Sequence, residues 1–142
     1  PSTGLCWVQT DDGAYTDVSN CMMLAAVPGT VGDGAALTLD YGAARTVTTR
    51  MGQKPTAATL KRFLVGPAGQ EITGLCETPD GKVLFVNVQH PGEDTAAAAI
   101  GDPTKYQSHW PGNAGYGAGG ATARPRAATV MVTKNDGGRI GT

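Results

Sequence analysis

Few side chains in this 142-residue sequence can do chemistry, and they lie far apart. Glu71 opens the run Glu71-Ile72-Thr73-Gly74-Leu75-Cys76-Glu77. It reads either as a solvated carboxylate at a strand edge or as an oxygen donor for a hard cation. Calcium takes roughly six to eight oxygens, so an ion held by Glu71 needs donors from elsewhere. His90 ends an apolar run and precedes Pro91-Gly92-Glu93, which constrains its backbone. It serves either as a structural hydrogen-bonding group or as a metal ligand or acid–base group. His109, beside Trp110, reads as an anchor for a long loop that can also line a pocket. Arg124 and Arg126 flank Pro125, and on an extended segment two such guanidiniums point the same way, a geometry suited to a phosphate oxyanion. The same pair also reads as a charged strand entrance that protects a sheet edge.

Other chemistry is excluded by spacing. There is no His-x-x-x-His or His-Glu-x-x-His motif for zinc, no Gly-x-Ser-x-Gly elbow and no Gly-x-x-x-x-Gly-Lys phosphate loop. Asp11-Asp12-Gly13 with Asp17 lacks the spaced oxygens and closing Glu of a calcium loop and reads as a turn. Cys6, Cys21 and Cys76 contain no Cys-x-x-Cys pair, so they form neither a disulfide framework nor a zinc site. Cys6 and Cys21 are close enough in sequence to bridge, or each stays a thiol. Cys76 reads as a small buried apolar residue and Glu77, just before a turn, as solvated.

The elements that must position these residues are short. Leu5 to Thr10 and Cys21 to Val27 are apolar, β-branched runs stopped by Asp11-Asp12-Gly13 and Pro28-Gly29. Val31 to Ala36 reads as a Gly-rich loop, Leu37 to Tyr41 as a strand, and Ala44 to Met51 as a weaker strand. Pro55 to Leu64 has a Pro start, good helix formers and a Gly66-Pro67 stop, which predicts a short helix with a strand as its rival. Glu71–Glu77 and Lys82–Gln89 flank Thr78-Pro79-Asp80-Gly81, the signature of a tight hairpin. Glu93 to Ala123 is a long Gly-, Ala- and Pro-rich loop whose aromatic knot, Tyr106 to Pro111, should pack back onto the body. Arg126 to Thr133 reads as a last strand, followed by a turn at Asn135 to Gly138 and a tail too short for another strand.

Composition agrees. Glu occurs three times and Thr eighteen, while 21 Gly and 9 Pro make up about a fifth of the chain. That balance disfavours a helical bundle and favours short strands joined by turns. All-β architecture follows, as antiparallel four-stranded meanders. A net charge of -1 argues against nucleic acid or an anionic membrane surface as partner, and no stretch is long and apolar enough for a membrane span. The sequence starts Pro1-Ser2-Thr3 without a Met, as expected of a processed product or a fragment.

Several uncommon words then fall in order over about seventy residues. They are Phe63-Leu64-Val65-Gly66-Pro67-Ala68-Gly69-Gln70-Glu71-Ile72-Thr73-Gly74, Glu77-Thr78-Pro79-Asp80-Gly81 and Leu84-Phe85-Val86-Asn87-Val88-Gln89-His90-Pro91-Gly92-Glu93, followed by Ser108-His109-Trp110-Pro111 and Arg124-Pro125-Arg126-Ala127-Ala128-Thr129-Val130. Together they resemble the carboxy-terminal end of the PhoX family of bacterial alkaline phosphatases, well from Pro55 to about Ile140 and weakly over the first fifty residues. Gln70 stands where relatives often carry Cys.

The resemblance implies a six-bladed β-propeller several hundred residues long, exported by the twin-arginine route to the periplasm or beyond. Such a protein hydrolyses phosphate monoesters with calcium and an iron-containing cluster at the hub. This chain would then be about one and a half blades, with 1–54 a partial penultimate blade and 55–142 the last blade carrying the loop 93–123. Glu71 would face the central channel as part of a metal shell, with Arg124 or Arg126 steering phosphate and His90 and His109 as further pocket candidates. The iron-bridging cysteine and most carboxylates of the family lie in earlier blades, so no catalytic nucleophile or complete metal site carries over. Calcium and iron would complete their shells only with those blades, and the chain by itself would be inactive. Its partners would be the amino-terminal blades of the same protein and a phosphate-ester substrate. A partial ring also leaves apolar faces uncovered, from which self-association is expected. Two other readings remain: a non-enzymatic β-module of a secreted or surface protein, and a calcium-dependent propeller hydrolase of another substrate, such as a sugar lactone.

Overall fold

The computed structural model describes residues 3–11, 18–29 and 31–142. Its eight strands are all antiparallel, and no α-helix occurs among the described residues. They are β1 (Cys6–Gln9), β2 (Met22–Ala26), β3 (Asp33–Asp40), β4 (Thr46–Gly52), β5 (Leu60–Val65), β6 (Glu71–Glu77), β7 (Val83–Gln89) and β8 (Ala128–Thr133). The sheets have three, two and three strands, in the orders β1-β2-β5, β3-β4 and β6-β7-β8, rather than the expected four each. The turn read at Asp11-Asp12-Gly13 falls mostly outside the described residues.

The expected helix at 55–64 is a strand. Only one helical turn forms, where the amide of Leu60 and the hydroxyl of Thr59 both donate to Thr56 O. Beyond it β5 pairs with the edge of β2, with Met23 opposite Leu64 and Ala26 opposite Leu60. Helix propensity is worth tenths of a kcal/mol per residue and yields to a sheet edge whose N–H and C=O groups need partners. Phe63 thereby reaches Trp7, ring centroids 4.7 Å apart. Because β5 belongs to the first sheet, that sheet runs through Val65, past the division at residue 54 drawn from sequence.

The Gly-rich loop expected at 31–36 is also strand from Asp33 onward. A Cβ on Gly34 would stand 2.7 Å from Met51 O, where the register shifts between Asp33 and Ala36. Glycine here permits a bulge and close backbone approach instead of a loop. The last strand begins at Ala128, two residues later than expected.

The core lies between the first and third sheets. Leu84, Val86 and Val88 alternate inward along β7 and join Met23, Ile72 and Ile140, with Trp7, Phe63, Leu64, Trp110, Val130 and Val132 packed around them. Each such side chain contributes about 1.5–3 kcal/mol on burial. Trp110 brings the long loop onto this core, as expected of the aromatic knot. The tail makes no strand, yet the amide of Ile140 donates to Gly81 O at 2.9 Å and seats its side chain in the core.

Cys76 corrects its expected burial: it is exposed. Gly74, at φ +60°, forms a bulge between Thr73 and Leu75. The extra residue reverses the inward–outward phase, so Ile72 faces the core and Cys76 lies opposite Phe85 on the outer face. The three cysteines form no disulfide with one another. Glu77, expected to be solvated, is half-buried.

Candidate metal centre

One end of the third sheet gathers the chemistry. Glu71, the first residue of β6, pairs in register with Gln89, the last of β7. His90 follows directly at φ +33° and Gly92 at φ +79°, so the chain reverses within three residues. Two backbone bonds knit this reversal to the preceding turn: Gly92 N donates to Ala68 O at 2.9 Å and Glu93 N to Gly69 O at 3.1 Å. A second layer holds Glu93's neighbour, because Gln107 accepts from Asp94 N and donates to the Asp94 carboxylate.

The result is a cluster of Glu71, His90 and Glu93 whose ligand atoms all lie within 4.8 Å of one another. His90 Nε2 stands 3.4 Å from Glu71 Oε1, and Nδ1 stands 3.2 Å from Glu93 Oε2. Nδ1 is buried yet makes no hydrogen bond, so the Glu93 contact is proximity without bonding geometry. Asp11 completes the neighbourhood. Its hydrogen bond to Glu71 pushes the Glu71 carboxyl above the usual carboxylate range, helped by burial and by the negative charges of Asp11 and Glu93, while His90 opposes the rise. Crowded carboxylates disfavour one another's ionisation, and a bound cation would offset that repulsion. An imidazole nitrogen and several carboxylate oxygens together form a donor set for a metal ion, oxygens for a hard cation and the imidazole for a first-row transition metal.

Sequence had singled out Glu71 and His90 separately; folding joins them. It had not singled out Glu93 or Asp11. Glu93 was findable in principle, since a tight turn through Pro91-Gly92 places residues three apart on one side, whereas Asp11 carried only a turn signal. The other candidates lie elsewhere. His109 faces Ala123 O through Nδ1 at 3.0 Å and stacks obliquely on Tyr106, tying the middle of the long loop to its end. The two arginines do not share a target. Arg124 lies over the Tyr106 ring, 5.9 Å from its centroid, while Arg126 reaches Tyr116 O at 3.5 Å. Gln70 is buried and donates to Cys21 O at 2.8 Å, bridging the two large sheets beside the cluster.

Antiparallel sheets with carboxylates and a histidine converging at one sheet end define a β-protein with a candidate metal centre. The model of the alkaline phosphatase PhoX family matches residues 1–92, which include Glu71 and His90, and the chain belongs to that family. The match takes in the first fifty residues, where the motifs had been weak. Among solved structures, Pseudomonas fluorescens PhoX in complex with vanadate, a transition-state analogue, aligns with 99% of this chain at 27% identity and a TM-score of 0.62. The chain spans 18% of that protein's length. None of the curated proteins matches it.

Proposed function

We propose that this chain supplies one wall of the metal centre of a longer, exported PhoX-type phosphatase acting on phosphate monoesters. The observation that carries the reading is the convergence of Glu71, His90 and Glu93 within 4.8 Å in a chain of this family. The residues fit a cation: neighbouring carboxyl groups raise the Glu71 pKa, a crowding that a bound cation would relieve, and His90 Nδ1 is buried without a hydrogen bond. Glu71, Glu93 and Asp11 would offer oxygens to calcium, and His90 a nitrogen to iron. When bound, such cations neutralise the phosphoryl oxygens and activate an attacking oxygen.

The chain's own part is positional. The bonds from Gly92 and Glu93 to the 68–69 turn hold His90 and Glu93 against Glu71, and the side-chain exposures of 23% and 31% for Glu71 and His90 leave the cluster open on one side. The remaining donors come from the rest of the protein, the sheets being blades of a propeller whose hub this sheet end faces.

Calorimetric titration of the chain with calcium tests the reading. Weak binding, with water filling the positions the other blades would supply, is expected in the wild type and at least tenfold weaker binding in Glu71→Gln, because a charged donor is lost. No hydrolysis of p-nitrophenyl phosphate by the chain alone is expected; hydrolysis that survives Glu71→Gln would refute the role given to the cluster.

A further inference from the structure

A cavity of about 220 Å³ adjoins the cluster through Glu93. Glu93, Thr95, Ile100, Tyr106, Arg124 and Pro125 line it together with Gly92. Most of this wall is fixed. Tyr106 donates its hydroxyl to Ile100 O at 2.8 Å, and Thr95 donates to Gly92 O at 2.7 Å while accepting from Gln107 N. Neither hydroxyl hydrogen is therefore free for a ligand. Ile100 is 51% exposed at the cavity, an apolar surface left for a ligand to cover.

Arg124 is the exception among the polar groups. Its guanidinium rests over the Tyr106 ring and has no carboxylate partner among the described residues. Stacking orients the planar fork without consuming its N–H donors, which match a carboxylate or phosphate. Glu93, the other charged wall, stands 3.2 Å from His90 Nδ1 and carries the wrong sign to hold an anion.

We propose that this cavity is the leaving-group subsite of the centre and that Arg124 selects phosphate esters whose alcohol part bears a second anionic group. The inference rests on the phosphatase reading for its substrate, with the phosphoryl group at the Glu71–His90–Glu93 cluster and the alcohol part beyond Glu93. Ile100, Tyr106 and Pro125 then cover a short carbon skeleton, and Arg124 binds the anion at its far end.

The test is a nuclear magnetic resonance titration of the chain, read at the Ile100 methyl and Tyr106 ring signals. Without metal, glycerate should shift both signals and its neutral counterpart glycerol should not. Arg124→Leu should abolish the shift and Arg124→Lys weaken it, while Arg126→Leu retains it; unchanged Val86 and Val88 signals report an intact core. With calcium, 3-phosphoglycerate should bind roughly tenfold more tightly than glycerol 3-phosphate, a ratio that falls to about one in Arg124→Leu. Equal shifts by glycerate and glycerol, or a glycerate shift that survives Arg124→Leu, would overturn the subsite. An Arg124-dependent glycerate shift together with 3-phosphoglycerate binding no tighter than glycerate at saturating calcium would overturn the phosphate-ester substrate and leave only an anion site, so the two failures are distinguishable.

Discussion

Two hairpins of similar length meet different fates in this molecule. β6 and β7 bury Ile72, Leu84, Val86 and Val88 against Met23 of another sheet, gain β8 as a third strand, and end in the turn that carries His90 and Glu93. β3 and β4 form a sheet of two strands, nearly all of whose residues are exposed. Yet this second ribbon is clearly two-faced. Leu37, Leu39, Tyr41, Val47 and Met51 lie on one side, while Thr38, Asp40, Thr46, Thr48 and Arg50 lie on the other, where Thr38 and Thr48 meet at 3.2 Å. Both pair antiparallel along their length with one register shift each, so backbone register does not distinguish them. Burial does: a two-stranded ribbon without a covered apolar face is marginal in water. The candidate metal cluster lies at the end of the buried hairpin, where packing locks the side chains that such a site would need to position.

The comparison can be broken by mutation. Met23→Ala, at a fully buried site beneath the third sheet, should lower the unfolding free energy by about 2–5 kcal/mol in urea titration, the largest effect of the series. Gly92→Ala comes next, at about 1–3 kcal/mol. Its φ of +79° is strained for an L side chain, and the new Cβ would press on Pro125 and the Ser108 backbone at 3.2–3.3 Å. It should also weaken calcium binding, since His90 and Glu93 depend on that reversal; unaltered binding would separate the turn from the cluster.

A smaller effect concerns acid dependence. Glu71 titrates above the ordinary glutamate range because of its hydrogen bond to Asp11, so the folded chain retains a proton that the unfolded chain releases first. That contribution to stability is present below the unfolded pKa and disappears as pH rises through the folded one. Glu71→Gln should flatten this slope in pH-dependent thermal melts. If Glu71 is a calcium ligand as proposed, the ion competes with the same proton, and its affinity in the wild type should increase with pH across the same window. Weaker still is the outer face of the third sheet, where Phe85 pairs with Met131, itself 64% exposed. Met131→Lys should reduce concentration-dependent association in sedimentation without loss of stability. Last, Val47→Ala on the exposed ribbon should change stability by less than about 0.5 kcal/mol. A larger loss would mean that the ribbon's apolar face is covered in solution, and the contrast between the hairpins would fail.

Much of the architecture was legible in local patterns. Pro79, Asp80 and Gly81 specified a turn whose bonds form as their chemistry requires: Thr78 donates to the Asp80 carboxylate at 2.6 Å, and Gly81 takes φ +70°. The alternation along β7 announced its inward face. What misled were residues whose meaning depends on a distant partner. Gly34 reads as loop until Met51 O lies against it, and Leu60 to Leu64 read as helix until the edge of β2 is available. At the site, Glu71 and His90 stood out by type, whereas Glu93 and Asp11 did not, because a carboxylate in a turn is ordinary until others surround it.

The sequence by itself determined the strand-rich class, the hairpin at residues 78–81 and the family to which the chain belongs. Those rest on turn chemistry, period-two burial and motif order, all of which act over a few neighbouring residues. Only the tertiary structure decided which carboxylates face His90, where Arg124 and Arg126 part company and which face of β6 carries Cys76. The physical reason is reach: a single bulge at Gly74 inverts every side chain beyond it, and a cluster spanning 4.8 Å unites residues from position 71 to position 93 only after β6 and β7 have paired in register.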